Sequence, residues 1–245
     1  VFHLAAASTV ATSWSSPAKI LETNAIGQVN LFEALRTLPS APVTVISSSA
    51  EIYGQVDPDR LPVDEDAPLL PVSPYGVSKA AQDLLAYQYR VTYHLPTIRL
   101  RLFNHTGPGR PDHFAVSSFA RQVAEIEKGL RPPRMKVGDL DVVRDLTDVR
   151  DVVRAYWLAA AQGEPGAAYN VCSGRAVSMR EVLHLVLENS QEVVEVAVDP
   201  DRLRPADIPF LYGDHARLTN DTGWVPLIPL EQTVADLLDW WRQRV

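Results

Sequence analysis

The chain contains one cysteine, Cys172, in 245 residues. That excludes an intramolecular disulfide and any metal site built from several cysteines. A small buried strand residue accounts for Cys172 more simply than a reactive thiol does. No apolar run approaches the roughly 20 residues that a membrane-spanning helix needs, and no charged-plus-apolar leader is present. A cytoplasmic location and no membrane partner are therefore expected. Positive charge is in deficit, with 23 Lys and Arg against 30 Asp and Glu, which argues against nucleic acid as a partner. A glycine-rich phosphate-cradling loop after a strand is also missing, because Gly107-Pro108-Gly109 stands in a different context. The first residues, Val1 to Ala7, include no initiator methionine and read as the inside of a strand, so a fragment is expected.

What is present is a composition 46% hydrophobic, enough to bury a substantial core in one large domain or two small ones. Phe2–Ala5 and Val43–Ser47 read as buried strands, and an apolar stripe from Ser15 or Ser16 to about Leu38 reads as one helix between them. An acidic, proline-rich loop, Gln55–Val72, precedes a second long helix that Pro74 opens and that ends near His94. Thr97–Phe103 is the next strand. The alternation implies a doubly wound parallel α/β sheet of Rossmann type, lacking its N-terminal part. After Gly107 the elements turn mixed and irregular, as a smaller substrate-binding part would be. The expected division is residues 1–106 with about 145–174 for the sheet domain, and 107–144 with 175–245 for the substrate domain.

The chemistry concentrates between Ser47 and Lys79. Tyr75 and Lys79 stand four apart behind Pro74, so both lie on one helix face, one turn apart. A neighbouring ammonium favours the phenolate, which predicts a Tyr75 pKa drawn down and a phenol able to exchange a proton with a hydroxyl or carbonyl oxygen. Ser49, at the end of the preceding strand, is placed to hold the same oxygen.

The run Val45-Ile46-Ser47-Ser48-Ser49-Ala50-Glu51-Ile52-Tyr53-Gly54, followed after a loop by Ser73-Pro74-Tyr75-Gly76-Val77-Ser78-Lys79, resembles the active-site block of extended short-chain dehydrogenase/reductases, the NAD-dependent epimerase/dehydratase family. Three further runs resemble its GDP-sugar branch: Arg101 to Gly109, Val137 to Asp145, and Arg204-Pro205-Ala206-Asp207 with Gly213-Asp214. Within that branch the chain is most similar to GDP-4-keto-6-deoxy-D-mannose reductases and next to GDP-mannose 4,6-dehydratases. By this resemblance the missing front would be a βαβαβ part of roughly 60 residues carrying the glycine loop.

The resemblance implies a catalytic Ser49, Tyr75 and Lys79, with Glu51 added in a dehydratase. It implies NADP or NAD as cofactor, with Leu4, Ala5, Ala6, Ser47, Tyr75 and Lys79 against it. Ser49, Asn104, Arg144, Arg204 and Asp207 would meet a GDP-sugar, the arginines through its diphosphate and ribose. Reduction of the C4 keto group is the expected reaction and dehydration of GDP-mannose the alternative; a non-catalytic nucleotide-sugar-binding module or inactive fragment is the reading from a different class. Relatives pair two long helices per subunit, so a homodimer or dimer of dimers is expected through Lys19–Leu38 and Ala80–His94.

Overall fold

The computed structural model describes residues 1–202 and 208–245. A short strand, β1 (Phe2–His3), leads into α1 (Val10–Ser15), α2 (Pro17–Leu21), a π-helical turn (Glu22–Ile26) and α3 (Gly27–Arg36). The single helix expected here is thus broken. Its wide turn carries Asn24 inward, where the side-chain amide accepts from the Ala7 N–H at 2.7 Å and donates to the Ala7 carbonyl at 3.0 Å and to Ser78 Oγ at 2.9 Å. Long-range hydrogen bonds to a buried amide compete with the regular helical pattern.

Strand β2 (Thr44–Ser49) follows, and then α4 (Pro74–Tyr93). Ser73 caps α4 by accepting from the Gly76 N–H at 3.0 Å, with Pro74 in the first turn where its missing N–H costs nothing. His94, in the left-handed region at φ 58°, ends it. The chain continues through β3 (Thr97–Leu102), β4 (Asn104–Thr106), α5 (Ala115–Glu127), β5 (Arg134–Val137), β6 (Val143–Arg144), β7 (Leu146–Asp148) and α6 (Val149–Gln162). The remaining elements are β8 (Ala168–Val171), β9 (Val177–Ser178), α7 (Met179–Glu188), β10 (Glu195–Val198), β11 (Phe210–Leu211), α8 (Ala216–Thr222) and α9 (Leu230–Arg242).

Strands β1, β2, β3 and β8 lie side by side in that order, every pair parallel. Successive β2 side chains face opposite ways. Val45 packs with Val152, Ala155, Trp224 and the β3 and β8 residues Ile98, Leu100, Tyr169 and Val171, while Ile46 packs with Phe32, Leu35, Ala86 and Tyr89. Helices α6 and α8 therefore cover one face, and α3 and α4 the other, the doubly wound α/β arrangement. A separate core joins α5, α7 and α9 to β5 through Phe119, Met135, Val182, Val234 and Leu237. Beside it stand a parallel β10–β5 pair, a mixed β11–β6–β9 sheet and a parallel β4–β7 pair.

One buried ionic cluster fastens α4 to the sheet. Arg101 on β3 places Nε and Nη2 on the two carboxylate oxygens of Asp83, each at 3.0 Å, and its Nη1 on the Glu65 carbonyl at 2.8 Å. Among the described residues no helix is long and apolar enough to cross a membrane.

Candidate active site

Parallel strands bring their carboxyl ends to one edge, and the candidate residues collect there. At the end of β2, Ser49 accepts a hydrogen bond from the Glu51 N–H at 3.3 Å, which starts the helical turn Ala50–Ile52. The first two turns of α4 supply Tyr75 and Lys79, both buried. The Ser49 hydroxyl lies close enough to the Tyr75 phenol to favour its ionised form. The His3–Ile46 register sets Leu4, Ala5 and Ala6 just beyond the end of β1, exposed or half-buried, one step along from Ser47.

The expected electrostatics of Tyr75 and Lys79 are not what the structure contains. The Lys79 ammonium donates to the Ser47 carbonyl at 2.8 Å and to Gln82 Oε1 at 2.9 Å, and burial drops its pKa to about 8. The Tyr75 phenol is pushed up to about 12, the opposite of the predicted direction. Burial is the main cause, the Ser49 hydroxyl opposes it, the Glu51 carboxylate raises it further, and the cation that draws it back is Arg110. Helical spacing places two side chains on a face; which oxygen the ammonium then seeks is decided by acceptors elsewhere in the fold.

Four residues at this site were not signalled by the sequence motif. Arg110 ends the turn after β4, its guanidinium carbon 3.4 Å from the centre of the Phe114 ring. Tyr156, on α6, has its phenol raised to about 12 by burial, with the Ser47 hydroxyl drawing it back. Gln82 holds Lys79 and approaches His3 Nε2 at 3.5 Å, and Asn24 links the Ala7 loop to Ser78. Gln82 and Asn24 reach their partners across many residues of sequence.

The remaining predicted residues are spread more widely. Asn104 is exposed at the start of β4. Beside it His105 is half-buried, its Nδ1 3.2 Å from the Phe103 carbonyl, and desolvation with the Arg110 charge holds its pKa down. Arg144 lies on β6 in the smaller sheet, donating to the Val143 carbonyl at 2.9 Å and the Ile208 carbonyl at 2.6 Å. Arg204 and Asp207 lie outside the described residues. Arg202, just before them, helps line a cleft of about 490 Å³ together with Ser118, Arg121, Gln122 and Arg131.

The site fits the ribose end of a nicotinamide cofactor. An ammonium carries three N–H groups. Two from Lys79 are held by Ser47 and Gln82, and the third has no partner among the described residues, so it is available to a sugar hydroxyl beside Tyr75.

Fold and site together define an enzyme of the short-chain dehydrogenase/reductase type, a parallel Rossmann-type sheet with a Ser–Tyr–Lys set at its carboxyl edge. The chain belongs to the GDP-mannose 4,6 dehydratase family, whose model matches residues 1–237. It is 40% identical over 245 residues to the GDP-6-deoxy-D-mannose reductase of Pseudomonas aeruginosa, covering 100% of this chain and 81% of that protein. A GDP-mannose 4,6-dehydratase of Vibrio cholerae is 31% identical over 268 residues, covering 97% of this chain and 71% of that protein. The structure of RMD from Pseudomonas aeruginosa complexed with NADPH superposes with a TM-score of 0.95 at 39% identity, covering 100% of this chain and 82% of that one.

Proposed function

We propose that the protein reduces the C4 keto group of a GDP-4-keto-6-deoxyhexose with NADP or NAD as the nicotinamide cofactor. The observation that carries this reading is the 40% identity over the whole chain to a GDP-6-deoxy-D-mannose reductase, against 31% to a dehydratase. The NADPH in the similar solved structure favours NADP. When bound, the reduced nicotinamide supplies hydride to C4. Tyr75 donates the proton to the C4 oxygen, and Ser49, at the end of β2 beside it, donates to that oxygen as negative charge develops on it. Lys79, held by Ser47 and Gln82, orients the ribose with its remaining N–H. Asn104, Arg144, Arg204 and Asp207 meet the sugar, diphosphate and nucleoside ribose. Residues 1–106 with about 145–174 hold the cofactor, and 107–144 with 175–245 the GDP-sugar.

The dehydratase reading keeps one specific support, the Glu51 carboxylate, which acts on the Tyr75 phenol and would serve as the C5 base. Mass spectrometry separates the two. Given GDP-4-keto-6-deoxy-D-mannose and NADPH, the native gene product that contains this chain is expected to add two hydrogens to the sugar and to leave GDP-mannose unchanged. Loss of one water from GDP-mannose, without net consumption of cofactor, would make it a dehydratase.

The protein acts as a homodimer or dimer of dimers in the cytoplasm. Val77, Leu84, Tyr87 and Val91 form an apolar stripe along α4 at helical spacing, 44%, 55%, 51% and 57% exposed, with Ile26 beside the start of α3 at 55%. Light scattering at micromolar protein is expected to give at least twice the chain mass; a monomer would remove this part of the reading.

A further inference from the structure

Gln82 is a neutral side chain set between two ionisable ones. It is fully buried on α4, its Oε1 accepts from the Lys79 ammonium at 2.9 Å, and its Nε2 stands 3.5 Å from His3 Nε2. Its backbone is held as well, the Gln82 carbonyl accepting from Gln28 Nε2 on α3 at 2.7 Å. These contacts leave one arrangement of protons. An ammonium only donates, so the amide oxygen faces Lys79 and the amide N–H groups face His3. The amide nitrogen also only donates, so His3 Nε2 carries its lone pair and the ring proton sits on Nδ1. His3 is then neutral. In register with Ile46 it lies on the α4 side of the sheet, while Phe2 turns to Tyr156 on α6, ring centroids 6.1 Å apart. On the His3 side β2 presents Ile46, α3 presents Gln28 to the Gln82 carbonyl, and α4 presents Lys79, the one titratable group of the three. Burial and the Lys79 charge both favour the neutral ring.

We propose that Gln82 is a positioning residue that aims Lys79 at the cofactor ribose, its amide kept in the aiming orientation by a neutral His3, so that protonating His3 loosens the ammonium and weakens cofactor binding. This rests on the reading of Lys79 as the group that orients the ribose. The conflict is one of donors. Once His3 gains a second proton, its Nε2–H meets the Gln82 N–H groups and no hydrogen bond joins them. Turning the amide over gives His3 the oxygen but sets the amide N–H groups against the Lys79 ammonium. Two cations then compete for one amide oxygen, and they repel each other as well. Whichever loses is left short of a partner in a place where water does not replace it. For Lys79 that leaves the Ser47 carbonyl as the bond that fixes it.

The affinity of the native gene product for NADP is measured by calorimetry from about pH 5 to about pH 7, below the Lys79 value of about 8, so that the ammonium stays charged. Wild type, Gln82→Met, His3→Asn and Lys79→Met are compared. As the pH falls through that range, wild type is expected to lose about fivefold more affinity than His3→Asn. Gln82→Met lacks the amide oxygen. It is expected to bind NADP about fivefold to tenfold more weakly at neutral pH, to show no added acid decline, and to raise the KM for NADPH by more than it lowers kcat. The NADP 2′-phosphate titrates in the same window, equally for every protein, so the differences between proteins carry the test. A second readout needs no turnover. In protein carrying nitrogen-labelled histidine, the His3 resonances, those absent from His3→Asn, are expected to show Nδ1 protonated and Nε2 unprotonated at neutral pH. Bound NADP moves their titration to lower pH, as linkage requires. An Nε2–H tautomer, or an acid decline equal in wild type, Gln82→Met and His3→Asn, overturns the proposal while leaving Lys79 its role. NADP affinity unchanged in Lys79→Met overturns the reading beneath it. Should Gln82→Met fail to fold, the tautomer and the His3→Asn comparison decide.

Discussion

Replacing Tyr75 by phenylalanine is expected to reduce kcat by about a thousandfold or more while leaving the affinity for the GDP-sugar within roughly threefold of wild type. The substitution removes one oxygen from a side chain that is 9% exposed and whose ring remains to fill its place. What is lost is the proton donor itself. Ser49 cannot replace it, because a serine hydroxyl is a far weaker acid, and Lys79 is directed to the Ser47 carbonyl and Gln82. Calorimetric titration with GDP-sugar separates loss of chemistry from loss of binding. A variant that fails to fold would instead make Tyr75 a core residue, and its near-ultraviolet circular dichroism would show that.

The second large effect concerns stability. Asp83 is fully buried and holds two guanidinium groups, the buried Arg101 at 3.0 Å and the partly buried Arg99 at 3.1 Å. Burial pushes its carboxyl up, but the fork and charge of Arg101 hold it below the ordinary carboxylate range. Asp83→Ala leaves both cations unpaired, a loss of about 3–5 kcal/mol. The melting temperature is expected to fall by roughly 10 °C. The double variant Asp83→Leu with Arg101→Met, which removes charge from both sides, should fall less. Because the folded pKa lies below the unfolded one, this contribution is present above the unfolded value of about 3.9 and is lost as pH falls through the folded value. An Asp83→Ala protein that melts with wild type would show the cluster to be dispensable.

The parts of this architecture visible in the sequence are those written locally. Ser73 and Pro74 announce the start of α4, and the four-residue interval that follows places Tyr75 and Lys79 on one face, as the structure has them. The apolar runs of β2 and β3 are continuous because both faces of a parallel sheet are covered, so the strands and the doubly wound class were readable. What was not readable depends on distance. The break in the first long helix is explained by Asn24 reaching Ala7 and Ser78, the latter 54 residues away. The direction of the Tyr75 pKa is not legible in the spacing, because burial dominates it and Lys79 turns to acceptors in Ser47 and Gln82.

The central claim is hydride delivery to C4 with Tyr75 as the acid. It is tested most directly by supplying the native gene product with GDP-4-keto-6-deoxy-D-mannose and NADPH labelled with deuterium at its transferable position, and locating the label by NMR. A single deuterium on C4 of the product, absent with Tyr75→Phe, is the result this account predicts. No deuterium in the sugar, with GDP-mannose instead losing water under the same conditions, would contradict it.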